Sequence, residues 1–352
     1  MSTNETVIDR FKSQIIDAKK QSTCVRIRGG GSKDFYGVNL EGEIVDTNEF
    51  TGITEYEPTE LVLTARSGTP LEEIEQTLDE NNQMLPFEPP HMGTKATFGG
   101  CIASGFSGPR RASQGAVRDF VLGARILNAD AVDLQFGGKV MKNVAGFDVS
   151  RLLAGSFGTL GLILESSVKV LPKPEMERTV LFDLDIQAAL EKMNTLAGSP
   201  IPLSATCFDG NQLAVRLSGS EIGVIAAHKK IGGEVSEGAS YWQSIKEQTH
   251  PFFGSEGCLY RLSVNPTAPI NRYTDALIEW NGSTRWVWSN GTLAEHQDFA
   301  SEHGGHATVF RGNQLGNPIS SISPALQVLQ QKIKNSMDPD GIFGKNRLFA
   351  EF

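Results

Sequence analysis

Apolar and polar positions at the start of the chain follow a helical period and then a strand period. The spacing predicts an amphipathic helix over residues 4–20, with an apolar face made of Val7, Ile8, Phe11, Ile15 and Ile16. A short β-prone run over residues 24–27 follows it. That run ends in the loop RGGGSK, which begins at Arg28. The pattern therefore predicts a strand that leads directly into a glycine-rich loop.

The next apolar pattern predicts a second strand and a second helix. Residues 61–66 alternate as a strand does. We expect the helix to begin with Thr69 as its N-cap, Pro70 in its first turn and Glu72 completing a capping box. Prolines then keep the chain extended as far as His91, which we interpret as a structural or solvent-exposed histidine.

The stretch from Phe98 to Lys169 combines frequent glycines with β-prone apolar runs. Residues 119–127 and 132–136 are predicted to form a hairpin. We expect Asp148 to cap a short helix and to pair with Arg151. Repeated glycines allow the backbone to turn or to approach a ligand closely, so this stretch is predicted to form a ligand cradle.

The composition changes after Pro172-Lys173-Pro174, which we interpret as a short stiff linker. Strand and helix patterns then recur at residues 179–184, 188–196, 203–208, 213–217, 223–230, 259–264, 273–280, 283–288, 293–303 and 307–310. This order predicts an antiparallel sheet backed by helices. Trp286 and Trp288 alternate on one strand and are expected to face the same side, in a core or subunit interface or as the cover of a flat ligand.

Length and charge narrow the classes of function. The chain has 352 residues, 39% of them hydrophobic and 21% charged, which is typical of a globular protein with more than one domain. A net charge of −9, with no long run of Lys or Arg, argues against a nucleic-acid partner. The pair Arg110-Arg111 can still meet a single anion.

The cysteines and the N-terminus indicate neither a metal site nor a membrane segment. Cys24, Cys101, Cys207 and Cys258 lie far apart and form no CxxC pair, so no zinc or iron–sulfur site is predicted in this chain. The N-terminal segment lacks an apolar signal core, and no run approaches the ~18 apolar residues of a membrane span. We therefore expect a cytoplasmic protein, with attachment to a membrane left to a partner.

The loop from Arg28 to Lys33 is a candidate phosphate site. Three successive glycines expose backbone N–H groups that can form a concave nest for an anion, and Ser32 and its basic neighbour can add donors. The loop matches neither the Walker pattern GxxxxGK[ST] nor the fingerprint GxGxxG. A tight turn with no ligand is the alternative interpretation.

Five segments together resemble the flavin-binding domain of the p-cresol methylhydroxylase and vanillyl-alcohol oxidase superfamily. They are RGGGS from Arg28, TFGGCIASGFSGPRR from Thr97, GAVRDFVLGARI from Gly115, GGKVMKNVAGFDVSRLLAGSFGTLGLI from Gly137 and KVLPKP from Lys169. The motifs GPRR, VMKNVAGFD, GGHATVFR and DPDGIF extend the resemblance over almost the whole chain. They are similar to those of the family of FAD-binding subunits of bacterial glycolate oxidases.

The resemblance implies an FAD held between two subdomains of the N-terminal half. The implied cofactor-binding residues are Arg28, Gly29, Gly30, Gly31 and Ser32 at the diphosphate, Thr97, Gly99, Gly100, Ser104, Ser107 and Gly108 at other flavin contacts, and Gly161 and Ile163 beside the adenine. Members that attach flavin covalently often have histidine directly after the glycine triplet. Ser32 occupies that position here, so we expect the FAD to be non-covalent.

The resemblance also predicts the fold class and the domain boundaries. The class is α+β, with a two-subdomain FAD-binding domain of the p-cresol methylhydroxylase type over residues 1–174. An α+β cap domain with an antiparallel sheet follows over residues 175–335. Residues 336–352 are expected to form a C-terminal tail that returns to the FAD domain.

The implied function is that of an FAD-binding component of a complex that oxidises glycolate or another small 2-hydroxy acid. Its partners would be a second flavoprotein subunit and an iron–sulfur subunit, through which electrons leave. His306, directly after two glycines, is a candidate base for the substrate hydroxyl, with a structural histidine as the alternative.

One difference from the pattern of the superfamily leaves two other functions open. The larger 2-hydroxy-acid dehydrogenases of this superfamily carry histidine motifs such as HxGDGNxH, and this sequence has none. A catalytically silent structural subunit is therefore one alternative. An independent flavin oxidoreductase of the same superfamily is another.

Overall fold

Two antiparallel sheets, one of five strands and one of eight, organise the two halves of the chain. The computed structural model describes residues 3–37, 41–138, 148–312, 323–345 and 347–348. Residues 139–147, which hold most of the VMKNVAGFD motif, lie outside the described residues. Within the described part of the chain, no helix combines the length and the apolar character needed to cross a membrane.

Helical patterns in the sequence predicted the helices that begin near residues 4, 71, 188 and 223, but not those within residues 98–120, 239–247 and 324–337. The helices are α1 (Thr3–Gln21), α2 (Leu71–Asp79), α3 (Phe98–Ser104), α4 (Arg111–Gln114), α5 (Val117–Phe120), α6 (Ile186–Ala197), α7 (Glu221–Ile231), α8 (Ala239–Glu247), α9 (Leu293–Glu302) and α10 (Pro324–Met337). Short 3-10 turns lie at Ser150–Leu153, Pro251–Gly254 and Trp280–Gly282.

The strands range from two to eight residues in length. They are β1 (Val25–Arg28), β2 (Glu43–Asp46), β3 (Ile53–Glu57), β4 (Val62–Arg66), β5 (Gln83–Met84), β6 (Val121–Leu127), β7 (Asp133–Gly137), β8 (Leu162–Lys169), β9 (Leu171–Pro172), β10 (Met176–Phe182), β11 (Leu203–Phe208), β12 (Leu213–Gly219), β13 (Glu234–Ser236), β14 (Cys258–Ser263), β15 (Leu277–Glu279), β16 (Thr284–Ser289) and β17 (His306–Arg311).

The five-stranded sheet has the order β3-β4-β8-β6-β7 and carries the core of the first half. The predicted hairpin is confirmed, with Ile126 of β6 opposite Leu134 of β7. Leu71 and Ile74 of α2 and Phe98 of α3 are fully buried in the core cluster that this sheet contributes to. Burial of these apolar side chains joins the helices to the sheet.

A smaller unit consists of α1 and the parallel pair β1–β2. Phe11 and Ile15 of α1 are buried together with Val25 of β1 and Val45 of β2. This unit presents the glycine-rich loop, because the loop begins where β1 ends. The predicted helix and strand at the N-terminus are both confirmed.

The C-terminal segment contacts this first unit. Phe343 forms a parallel bridge with Val25, and the Val25 N–H donates to the Ile342 carbonyl at 2.9 Å. Lys334 of α10 is buried, and its Nζ donates to the carbonyls of Thr159 at 2.8 Å and Phe343 at 2.7 Å. These bonds hold residues 342 and 343 beside β1.

The eight-stranded sheet has the order β13-β10-β12-β11-β15-β16-β14-β17 and forms the second half. Its core cluster includes Leu190 of α6, Val224 of α7 and Phe299 of α9. A second cluster contains Trp286 together with Tyr36 from the first half and, packed against it, Trp288. The two tryptophans therefore share one side of the sheet, as predicted, and lie in a core between the halves.

Two local predictions about helix starts were wrong. Helix α2 begins at Leu71, with Pro70 at the cap position and no side-chain cap. The Thr69 hydroxyl instead accepts from the Gly52 N–H at 2.9 Å, so a contact distant in sequence replaces the local cap. Asp148 does pair with Arg151 at 2.9 Å, but it does not cap the 3-10 turn that starts at Ser150.

A buried charge network connects the halves. Arg110 of the first half pairs with Glu88 at 3.2 Å and with Glu177 of β10. Arg216 of β12 pairs with Glu88 at 2.9 Å. Burial opposes the charged form of Glu88, but the adjacent Arg216 and Arg110 hold its pKa below the usual value. The pair Arg110-Arg111, which we expected to meet a single anion together, is thus divided, because Arg110 takes part in this network.

Candidate functional site

The loop after β1 lines a cavity of about 100 Å³, which we call the glycine-loop cavity. Its lining includes the predicted residues Arg28, Gly29, Gly30, Gly31, Ser32, Thr97, Gly100 and Ser104. The fold therefore brings the two most glycine-rich predicted segments to one cavity.

Two further cavities adjoin it and share its walls. The strand cavity, about 60 Å³, contains the predicted residues Gly99, Gly161 and Ile163 and shares Gly29, Gly100 and Phe157 with the glycine-loop cavity. The arginine cavity, about 290 Å³, contains the predicted residues Ser107 and His306 and shares Ser104 and Phe157. Because they share wall residues, the three cavities are adjacent, and together we call them the cofactor cleft.

The glycine-rich loop packs too closely on its surroundings to carry side chains. A Cβ on Gly30 would lie 1.4 Å from the Lys95 carbonyl oxygen, and one on Gly29 would lie 2.3 Å from the Thr97 hydroxyl. Gly31 has a φ of +71°, a conformation that favours glycine. The loop is therefore held flat against residues 95–97, with its backbone along the cavity wall.

Helix α3 forms the facing wall. The Thr97 hydroxyl accepts from the Gly100 N–H at 3.2 Å and so caps the helix. A Cβ on Gly99 would lie 2.4 Å from the Ser67 Cβ, which explains the small residue there. The predicted small-residue segment is thus a short helix that packs against β4.

Basic side chains surround the glycine-rich loop. Arg28 Nε donates to Asp34 at 2.9 Å, and Arg26 pairs with the same carboxylate at 2.6 Å. Lys33 Nζ donates to the Ser32 hydroxyl at 3.2 Å, and burial lowers the pKa of Lys33. Arg28 therefore shapes the loop through Asp34, whereas Ser32 and Lys33 form a donor pair on the cavity wall.

Two buried polar atoms in the cofactor cleft have no hydrogen-bond partner among the described residues. They are the Ser67 hydroxyl in the strand cavity and Nη1 of Arg347 in the glycine-loop cavity. Burial lowers the pKa of Arg347 to about 10. An unsatisfied buried group costs about 1–3 kcal/mol, so both atoms fit a polar, anionic ligand that would supply their acceptors. Together with the backbone of the glycine-rich loop, these donors fit a phosphate-bearing ligand.

The arginine cavity has the largest volume of the three cavities in the cleft. His306 lies at the start of β17, and desolvation together with the charges of Arg261 and Arg111 lowers its pKa. The ring is therefore neutral near pH 7 and able to accept a proton. Tyr36 and Phe157 stack beside it with ring centroids 5.0 Å apart.

Three other residues singled out in the sequence, Ser107, Gly108 and His91, make contacts within the protein. The Ser107 hydroxyl accepts from the Val117 N–H at 3.3 Å. Gly108 lines a separate cavity of about 30 Å³ beside the arginine cavity, and a Cβ there would lie 2.5 Å from the Glu88 carbonyl oxygen. His91 bonds to the Glu75 carboxylate at 2.9 Å, which agrees with its interpretation as a structural histidine.

Sequence reasoning missed several cleft residues. Arg347 lies in the C-terminal tail and Arg261 in β14, and neither belongs to a motif recognised in the sequence. Arg111 had a signal, since it belongs to the GPRR motif and to the basic pair. Tyr36 and Phe157 had none, because their ring contacts join distant segments.

Known proteins show what this chain is similar to. A family model for an FAD binding domain matches residues 9–133. Glycolate oxidase subunit GlcE of Escherichia coli (strain K12) is 42% identical over 339 residues, which cover 96% of this chain and 96% of that protein. Glycolate oxidase subunit GlcD of Bacillus subtilis (strain 168) is 32% identical over 181 residues, covering 51% of this chain and 38% of that protein.

Solved structures share the architecture at low sequence identity. A crystal structure of p-cresol methylhydroxylase with substrate bound has a TM-score of 0.73 and 14% identity, over 98% of this chain and 88% of that chain. Alkyldihydroxyacetonephosphate synthase has a TM-score of 0.64 and 16% identity, over 94% of this chain and 73% of that chain. The predicted α+β class with a p-cresol methylhydroxylase-type FAD-binding fold is confirmed. Because it shares this fold and is 42% identical over nearly the full length of both chains, the chain belongs to the family of the glycolate oxidase subunit GlcE, an FAD-binding family.

Proposed function

We propose that this chain is the FAD-binding component of a complex that oxidises glycolate or a related 2-hydroxy acid. The observation that carries the proposal is the cofactor cleft, which joins the glycine-rich loop, the small-residue wall of α3 and the arginine cavity. The relatives support the substrate class, because the similar proteins include glycolate oxidase subunits and a D-lactate dehydrogenase.

The residues of the cleft suggest how the cofactor would be held. The loop from Gly29 to Ser32, together with Arg347, would bind the diphosphate, and Ser67 would meet an oxygen of the adenosine part. Gly161 and Ile163 would border the adenine. When bound, FAD supplies the acceptor for the two electrons removed from the substrate CH–OH group.

We further propose that the FAD is dissociable. The Ser32 hydroxyl contacts Lys33 and stands where covalent members often have histidine. Acid precipitation of the loaded protein should leave the yellow flavin in the supernatant. Flavin that stays on the precipitated polypeptide would contradict this assignment.

His306 is the proposed proton acceptor in this chain. Its neutral ring faces the arginine cavity, where it could hold the hydroxyl proton of a 2-hydroxy acid. A structural subunit that leaves oxidation to a sister chain is the second candidate, favoured by the missing HxGDGNxH motif.

The proposed assembly includes a second flavoprotein subunit and an iron–sulfur subunit that passes electrons onward. We propose the division into residues 1–174, 175–335 and 336–352 for this chain within that assembly. The bridge between Phe343 and Val25 supports the return of the tail to the first domain. In this proposal the chain is cytoplasmic and reaches a membrane through its partners.

One experiment separates the candidates. The chain is prepared alone and with its partner subunits, its flavin content is measured, and flavin bleaching is followed anaerobically with glycolate, D-lactate and L-lactate. Bleaching of the isolated chain supports an enzyme component and contradicts a silent subunit. A chain that assembles without any flavin would overturn the cofactor role.

A further inference from the structure

We propose that Arg111 and Arg261 form a binding site in this chain for the carboxylate of a short 2-hydroxy or 2-oxo monocarboxylic acid. Both side chains line the arginine cavity, one from the first half and one from the eight-stranded sheet. The inference rests on the proposed function, and it assigns to this chain a substrate contact that its missing histidine motif does not provide.

A strained turn positions the ring beneath Arg111. The guanidinium carbon lies 4.4 Å from the centroid of the Trp280 indole. Trp280 and Asn281 have φ values of +52° and +58°, which side-chain-bearing residues rarely adopt. Trp280 Nε1 donates to the Gly108 carbonyl at 3.1 Å, so this hydrogen bond fixes the indole in addition to the backbone turn. These unusual backbone conformations therefore place the Trp280 ring against the Arg111 guanidinium.

Three aromatic rings surround Arg261. Its guanidinium carbon lies 5.9 Å from the ring centroid of Phe106, 6.0 Å from that of Trp286 and 5.8 Å from that of Phe310. Aromatic faces position a guanidinium while its N–H edge stays available for planar acceptors. A carboxylate is such an acceptor and can bind in a bidentate manner.

The positive charge of the cavity is only partly offset by described carboxylates, because Asp119 acts on Arg111 and Glu279 acts on Arg261 without touching either guanidinium. Within the described parts of the chain, no carboxylate lies within 4.0 Å of either Arg111 or Arg261, whereas the adjacent Arg110 pairs with two. Burial and the like charges of Arg261 and Arg118 lower the pKa of Arg111, and Asp119 offsets this in part. Like charges that have no carboxylate in direct contact favour a bound anion.

The remaining walls indicate the size and polarity of the ligand. Hydroxyls of Ser263, Thr284 and Thr308 and the His306 ring line the cavity beside the arginines. These groups suit the hydroxyl or keto oxygen next to a carboxylate. The volume of about 290 Å³ lies at the lower end of small-molecule sites, which favours short acids.

The test uses the full chain loaded with FAD and oxamate as the probe, because oxamate is a monocarboxylate that cannot be oxidised at a CH–OH group. Binding is measured by calorimetry and by the fluorescence change expected from Trp280. We expect Arg111→Gln and Arg261→Gln each to raise the Kd for oxamate by about 10-fold or more, since a charge-assisted hydrogen bond is lost. The neutral analogue glycolamide should bind weakly to every form.

Arg311→Gln is the matched control. Arg311 also lies in the eight-stranded sheet and stacks on Phe35 at 5.1 Å, but it does not belong to the lining of the arginine cavity. This variant should keep the native Kd for oxamate. Arg111→Lys, which keeps the charge but loses the planar fork, should bind with intermediate affinity.

The flavin content of each variant, read from its absorbance, separates the two proposals. Native oxamate affinity in both glutamine variants would overturn the carboxylate site and leave the FAD site standing. If the glutamine variants lose FAD as well as oxamate binding, the carboxylate site is also overturned. The arginines would then be assigned to binding of the cofactor. A native chain that binds no FAD contradicts the proposed function, whatever oxamate does.

Discussion

Desolvation lowers the pKa of two histidines in the eight-stranded half of the chain. His296 of α9 is buried, with its Nδ1 2.8 Å from the Tyr273 hydroxyl and its ring centroid 4.1 Å from that of Tyr260. Desolvation lowers the pKa of His296 to about 4. His306 is also shifted down, but it faces the arginine cavity, where a neutral ring has a chemical use.

His296 should make the native state sensitive to acid. The unfolded chain binds a proton near pH 6.5 and the folded chain near pH 4, so stability falls as the pH drops between these values. The expected contribution is about 3 kcal/mol over this window. His296→Gln should reduce the pH dependence of the unfolding free energy, measured by urea denaturation at several pH values. An unchanged slope in this variant would contradict the assignment.

His306 should set the acid limb of the pH profile for flavin reduction by glycolate. Because its pKa is lowered, we expect the midpoint of that limb below 6.5 in the assembled, FAD-loaded complex. His306→Gln should abolish the limb and slow reduction by about 100-fold or more. His303→Gln is the control, since His303 packs on Phe299 and is not among the cavity-lining residues. Equal rates for native protein and His306→Gln would remove His306 from the reaction.

The glycine-rich loop shows that contacts with neighbouring segments restrict which residues an element can contain. Gly29 and Gly30 are excluded from carrying side chains by residues 95–97, and only Gly31 needs its unusual φ. Helix α2 shows the same dependence, because Thr69 bonds to Gly52 rather than to its own helix. Local motifs therefore predict the position of these elements better than they predict the contacts that the elements make with distant segments.

Gly30→Ala should weaken FAD binding by about 10-fold or more, because the added Cβ would lie 1.4 Å from the Lys95 carbonyl and the loop must move. Flavin content and the Kd for FAD measure the effect. Gly198→Ala is the control, since its nearest neighbours would be at ordinary distances of 3.8 and 3.9 Å. Native FAD affinity in Gly30→Ala would show that the loop does not hold the cofactor.

At the scale of the whole molecule, the two halves meet through buried charge and aromatic rings. Glu88 links Arg110 of the first half to Arg216 of the eight-stranded sheet. Tyr36 and Phe106 of the first half contact Phe310 of β17 at centroid distances of 5.5 and 5.3 Å. The arginine cavity lies between the halves, so its geometry depends on this packing.

Glu88→Gln should destabilise the protein by about 3 kcal/mol, because two buried guanidinium groups lose their shared counter-charge. Thermal and urea unfolding report the change. Glu49→Ala, which breaks an exposed pair with Arg10, is the control and should cost less than about 1 kcal/mol. Similar losses for the two variants would show that the buried network does not hold the halves together.

Periodicity and glycine spacing determined many of the secondary-structure elements and the place of the glycine-rich loop, whereas the class of the FAD-binding fold came from the family resemblance. These features are local, since a helical or strand period is visible in a short window. The family resemblance added the cofactor, and all of the implied cofactor residues except Gly108 line the cofactor cleft.

Tertiary structure alone decided which charged groups face the cleft. Arg110 and Arg111 are adjacent in sequence, yet one is neutralised by Glu88 and Glu177 and the other stacks on Trp280 in the arginine cavity. Arg261 and Arg347 reach the cleft from strand and tail without a sequence motif. The reason is physical, because the solvation and partners of a charge depend on contacts between segments that are distant in the chain.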